Sequence, residues 1–176
     1  MKNHKKTQFT IYGINNTIAI LESKRFTVSK IDIVRNGRAE KDDYLMHLVS
    51  KLTFQPKFYA KPGFFQKYPE GRTQGIAAVI DGRIAKNELP NYSEKESVCL
   101  LALDQIEDPQ NFGQIIRTAE CAGINGIIIP KHHSAPITDT VLQVSQGAFV
   151  NMSLYEVTNL KNEFQQLKDN GFWIVG

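Results

Sequence analysis

The 176-residue sequence has little cysteine, no long apolar run and none of the compact motifs that announce a bound metal or nucleotide. Its two cysteines, Cys99 and Cys121, make neither a CxxC pair nor a disulfide framework. Reduced thiols in a cytoplasmic protein are the simplest reading. The longest apolar stretch, Val98 to Leu103, is strand-sized, far short of the ~18 residues that a membrane helix needs. Met1 to Lys6 is basic, but polar residues follow it, so no secretory signal is expected. The adjacent pair His132-His133 lacks zinc-site spacing and reads as a loop pair. Neither a P-loop nor a dinucleotide-binding glycine motif is present, nor is any internal repeat or low-complexity stretch.

The 41% hydrophobic and 22% charged residues are ordinary for a soluble globular chain. The charge is unevenly distributed. Residues 1–97 hold 17 Lys and Arg against 10 Asp and Glu, a net of +7; residues 98–176 hold 4 against 8, a net of −4. A basic front half fits a polyanionic partner such as nucleic acid, and equally a lysine-rich solvated surface.

Apolar periodicity predicts two α/β units. In the first, Ile14 to Leu21 and Tyr44 to Leu52 have helical spacing, while Ile31 to Val34, Lys57 to Ala60 and Gly75 to Ile80 are β-prone. A polar linker is expected over 82–97, with Asn87, Pro90, Asn91 and Ser93. The expected domains are therefore 8–81 and 98–176. The second opens on Val98 to Leu103, an unbroken apolar run suited to a strand buried on both faces of a parallel sheet. A loop then leads to a helix over Phe112 to Ala122, stopped by Gly123. Further strands are expected at Ile127 to Ile129, Met152 to Tyr155 and Phe172 to Val175, with helices at Asp139 to Val144 and Asn159 to Lys168. This alternation predicts an α/β fold with a mostly parallel sheet.

The loop Asp104 to Asn111 leaves the carboxyl end of the first such strand, where open α/β sheets place ligands. Asp108-Pro109 favours a turn, and Asn111 is suited to cap the following helix. Gly113, a poor helix former, implies a close neighbour on the backbone. On a helical wheel Arg117 falls outside the apolar arc of Phe112, Ile115, Ile116, Ala119 and Ala122. Taken singly, Arg117 reads as a solvated helix residue and Asn111 as a cap.

Together these residues say more. Asp104, Pro109, Asn111, Gly113, Arg117, Ala119 and Gly123 resemble, in order and spacing, the first signature of the SpoU (TrmH-like) RNA ribose 2′-O-methyltransferases. Ile127 to Lys131 with Ser134 and Ala135 is similar to the same enzymes, as is Val144 to Ala148 with its Gly-Ala turn. Ile11 to Asn16 and Gln74 to Ala78 resemble the ends of the family's small RNA substrate-binding domain. One departure is Thr73, where the family commonly has His. The resemblance implies a small N-terminal α/β RNA-binding domain before a SPOUT-type trefoil-knot domain. It implies RNA as partner (ribosomal more than transfer RNA), S-adenosylmethionine as methyl donor, and a homodimer in the family. Members continue into two further signatures that complete the knot and most of the donor pocket, and the sequence stops at Gly176 before them. The expectation is therefore a truncated chain, impaired or inactive alone, without cofactor-binding residues of its own. The alternatives are a non-enzymatic RNA-binding remnant or one half of a split enzyme.

Methyl transfer to a ribose hydroxyl requires alignment of donor and acceptor and stabilisation of negative charge on the 2′-oxygen. The resemblance gives Asn111 and Arg117 to that site. An always-charged guanidinium suits gripping a phosphate or an emerging alkoxide, not removing a proton. An amide at Asn111 suits holding loop and substrate by hydrogen bonds. Lys24, Arg25, Lys30, Arg35, Arg38 and Arg72 are the candidate phosphate contacts. Phe64, Phe65 and Tyr68 are candidate stacking platforms for unpaired bases, with core or interdomain packing the alternative for the two phenylalanines.

Overall fold

A computed structural model describes residues 8–69, 73–92 and 97–176. The chain divides into two compact units, residues 1–83 and 84–176.

Unit 1 runs β1 (Gln8–Tyr12), α1 (Ile14–Ser23), β2 (Thr27–Val34), α2 (Asp43–Ser50), β3 (Lys57–Tyr59), α3 (Lys61–Lys67) and β4 (Ile76–Asp81). Its sheet has the order β1-β4-β2-β3, antiparallel except for β2 with β3. The apolar residues of α1 and α2 pack on one sheet face around Ile31, Ile33, Ile76 and Ala78. The shorter α3 buries Phe64 and Tyr68 on the other face, against Val34 and Ala77. This corrects the stacking role for two of the aromatics. Phe64 is wholly buried and Tyr68 nearly so, whereas Phe65 is exposed. Helix α3 is masked in the sequence by Pro62 and Gly63, but proline in a first turn costs no hydrogen bond.

The two stretches that resemble the ends of a substrate-binding domain meet here. β1 pairs with β4, and the Gln74 side chain accepts the Ile14 amide at 2.8 Å, serving α1 where Gly13 has no side chain to do so. Gln74 (φ 52°) and Gly75 (φ 83°) turn the chain into β4, and Thr73 is buried beneath them.

Unit 2 runs β5 (Ala85–Lys86), β6 (Leu100–Ala102), α4 (Pro109–Cys121), β7 (Gly126–Pro130), α5 (Asp139–Val144), a 3-10 turn (Ala148–Val150), β8 (Ser153–Val157) and α6 (Leu160–Asp169). All strands of its sheet are parallel, in the order β5-β8-β7-β6. Gly113 is where α4 meets α5: a Cβ there would lie 2.6 Å from the Val144 Cβ and 2.8 Å from the Val141 carbonyl oxygen. The far side of the sheet carries Ile128, Tyr155 and Val157 under Leu167 of α6.

Three expectations are corrected. Ala85 and Lys86, expected in a linker over 82–97, form β5 alongside β8, because Ile84 and Ala85 are apolar and find burial there. The β6 run is not enclosed; Leu100, Leu101 and Ala102 are half-buried, because β6 is an edge strand whose only partner among the described residues is β7. Phe172 to Val175 form no strand, and Trp173 and Val175 are 93% and 91% exposed. Apolar composition does not make a strand without a neighbouring backbone to satisfy its amides and carbonyls.

Candidate functional site

The loop from β6 to α4 is organised by Asp108. Its carboxylate accepts the amides of Gln110 (3.0 Å) and Asn111 (3.3 Å), and Pro109 occupies the first helical position. Asp108, and not Asn111, is therefore the cap. The helix starts three residues earlier than expected, because Asp-Pro is as good a cap and first-turn pair as it is a turn signal. This change bears on function. Asn111 is relieved of capping, and its side chain is exposed on the first turn.

There Asn111 lines an open groove of about 520 Å³ with Leu101, Ile106, Gln114, Ile115 and Thr118 among its neighbours. The groove lies between α4 and the β6 edge. A second, of about 440 Å³, lies on the other side of β6 and is lined by Asp104, Phe164, Lys161 and Lys168 among others. The Ala135 amide donates to the Ile106 carbonyl at 2.7 Å, tying the loop after β7 to the loop after β6. Ser145 is buried and donates to the Leu142 carbonyl, holding the turn that carries Gly147 and Ala148. Three segments singled out in the sequence thus sit at the carboxyl ends of β6, β7 and the helix after β7.

Arg117 is exposed on α4 and does not line the groove of Asn111. Six residues separate the two, about 9 Å along the axis and about 120° round it. Within unit 2 they are on one helix but not on one face. His132 and His133 are exposed in the loop after β7.

In unit 1 the candidate phosphate contacts do not form one patch. Lys24 and Arg25 precede β2, and Arg35 and Arg38 follow it, which sets the pairs roughly 25 Å apart along an eight-residue strand. All four are exposed; Arg25 lies over Phe26 and Arg35 over Phe58. Arg72 lies outside the described residues. Lys30, midway along β2, is different. Its ammonium is 3.1 Å from the buried Asp32 carboxylate, which also takes Lys67 at 2.7 Å and the Tyr68 hydroxyl at 2.7 Å. Burial pushes the Asp32 carboxyl up, but hydrogen bonds from Lys67, Tyr68 and Lys30 outweigh it and hold the group below its ordinary value. Sequence reading did not find Lys67, because its partner lies 35 positions away.

The comparisons with known proteins agree with this geometry. Residues 99–176 match the model of the SpoU rRNA Methylase family. A TrmH family tRNA/rRNA methyltransferase, by description, of Staphylococcus epidermidis is 35% identical over 153 residues, covering 82% of this chain and 55% of that protein. One of Staphylococcus aureus is 43% identical over 107 residues, covering 58% and 43%. The chain thus spans about half the length of the curated relatives it matches. Among solved structures, an AdoMet-bound rRNA methyltransferase from Sinorhizobium meliloti aligns with TM-score 0.72 at 17% identity, over 93% of this chain and 59% of that one. The SpoU methyltransferase AviRb from Streptomyces viridochromogenes, in complex with AdoMet, gives 0.72 at 19%, over the same shares. The class is therefore an α/β protein with the fold of SpoU-type methyltransferases. Residues 99–176 are similar to the SpoU methylase family.

Proposed function

We propose that this chain is the RNA-facing front part of a ribose 2′-O-methyltransferase that uses S-adenosylmethionine. Residues 8–81 serve as the RNA substrate-binding domain and residues 98–176 as the first part of the methyltransferase domain. The observation that carries the reading is the join of the family's first signature to a parallel sheet, with the signature loop at the carboxyl end of β6. The net charge of +7 in residues 1–97 supports RNA as the partner, ribosomal RNA before transfer RNA. Such an enzyme works in the cytoplasm, where its RNA is. No described helix is long and apolar enough to cross a membrane.

The groove beside Asn111 is open and mostly aliphatic, with Asn111, Gln114 and Thr118 as its polar side chains, and has no cation for a carboxylate. On this reading the 176-residue chain alone is impaired in transfer. The chain's own contribution is to the RNA. Asn111 orients substrate by hydrogen bonds from the groove rim. Arg117 holds a phosphate beside the target ribose or the developing alkoxide. In a catalytically complete protein, Arg117→Lys retains the charge and loses the fork. It is expected to lower kcat/KM for RNA by about ten- to a hundredfold, and full activity in steady-state assays would remove Arg117 from this role.

A second reading, one half of a split enzyme, is favoured by the β6 edge, which is unpaired among the described residues and flanked by two grooves. Labelled-methyl transfer to RNA, with and without a complementing segment, tests both.

A further inference from the structure

The sheet of unit 1 has one closed face and one half-open face. Ile11, Ile31, Ile33, Ala78 and Ile80 are fully buried under α1 and α2. On the opposite face, cross-strand register aligns Tyr12, Ala77, Asp32 and Lys57 in one row, and Thr10, Val79 and Lys30 in the next. Helix α3 covers one end of this face, and the row of Thr10, Val79 and Lys30 remains only half-buried.

Asp32 sits under the boundary between the covered and open parts, with no exposed surface. Lys30 and Lys67 bind the same oxygen, Oδ2, at 3.1 and 2.7 Å, so their ammonium nitrogens are less than about 6 Å apart. Each is about one-third exposed. Lys67 donates to Asp32 and the Tyr59 hydroxyl, and Lys30 to Asp32 and the Tyr68 hydroxyl. An ammonium has three N–H donors, so each retains one for solvent or a ligand. Two cations on one carboxylate leave a net positive charge, and exposed Lys57 adds another in the same row. The hydrogen bond to Asp32 raises the proton affinity of Lys67 further, so the cation persists at any physiological pH.

The surroundings select the ligand. The Tyr59 ring lies 4.9 Å from the Lys67 nitrogen, and Tyr12 stands edge-on to Tyr68 at 5.9 Å. Tyr12 and Tyr59 are half-buried on an open face. Fixed cations beside partly exposed rings suit a chain of phosphates with unstacked bases. We propose that Lys30 and Lys67 form a phosphate-binding pair for single-stranded RNA, with Asp32 and Tyr68 as positioning residues. The site deepens the RNA-binding role of residues 8–81 and rests on that reading. Lys24, Arg25, Arg35 and Arg38 lie at the strand's two ends.

The test uses the whole chain and a short oligouridylate, titrated over a range of salt. The unchanged chain is expected to bind with a negative log–log salt slope. Lys30→Gln and Lys67→Gln are each expected to reduce the slope by about 0.7, and the double variant by about 1.4. Lys51→Gln, exposed at the end of α2, is expected to leave it unchanged. Acetylation of the unchanged chain, read by mass spectrometry, gives a measurement independent of variant folding: oligouridylate should protect Lys30 and Lys67 but not Lys51. No binding by the unchanged chain would overturn both the RNA-binding domain and this site. Binding with unaltered slopes in the two variants, equal loss in Lys51→Gln, or unprotected Lys30 and Lys67, would overturn the site alone.

Discussion

Replacing Gly113 by valine is expected to destabilise residues 84–176 by about 3 kcal/mol or more. The Cβ alone would fall 2.6 Å from the Val144 Cβ and 2.8 Å from the Val141 carbonyl oxygen. Neither is the flexible end of a side chain, so α4 and α5 must move apart. A β-branched residue within a helix adds a smaller penalty. Against a typical total of 5–15 kcal/mol the loss is large. It would also displace the first turn of α4, which carries Asn111. Hydrogen exchange of the β7 and β8 amides reads this directly, and unchanged protection would show that the two helices do not meet at that distance. Gly63 is the internal control. A Cβ there has nothing within 4 Å, so Gly63→Ala should leave stability unchanged or raise it by up to about 1 kcal/mol.

The second large effect is expected at Asp32. In the folded chain its carboxyl is held below its ordinary value, so the folded state binds fewer protons than the unfolded state through the acid range. Its contribution is therefore present above the unfolded value of about 4 and is lost as pH falls through the folded one. Asp32→Asn keeps the shape, removes the anion and leaves Lys30 and Lys67 side by side. It should cost about 2 kcal/mol near neutrality, less than a fully enclosed pair, because both lysines are about one-third exposed. Denaturant unfolding of both proteins from neutral to acid pH checks the sign. The two stability curves should converge at the acid end; a constant gap would mean that packing, not charge, is what Asp32 contributes.

Much of the fold is written locally. The helical spacing of Ile14 to Leu21, the Asp139 to Val144 segment and the apolar run Ile127 to Ile129 all lie where the structure places α1, α5 and β7. Gly113 also signalled its own cause, a close neighbour. What local pattern could not give depends on partners elsewhere in the chain. Phe172 to Val175 has strand composition but no strand, since pairing is decided by a second backbone. Val98 to Leu103 reads as enclosed, yet enclosure depends on which strands flank it. Asp108-Pro109 carries two meanings, turn and helix start, and only the capped amides of Gln110 and Asn111 choose between them. Lys67 is one of many lysines until β2 and α3 bring it to Asp32. The proposed pair lies in the basic half of the chain, and of its two members only Lys30 was among the sequence candidates.

The most direct test of the proposed function is transfer of labelled methyl from S-adenosylmethionine to ribosomal RNA, with the modified atom identified after nuclease digestion. It should be run on the 176-residue chain, and on the chain joined to the part of the Staphylococcus epidermidis relative that it does not match. The joined protein is expected to place label on a ribose 2′-oxygen, with Arg117→Ala in it losing activity, and the chain alone to place none. Label on a base, equal transfer by the chain alone, or no transfer by a folded joined protein would contradict the assignment.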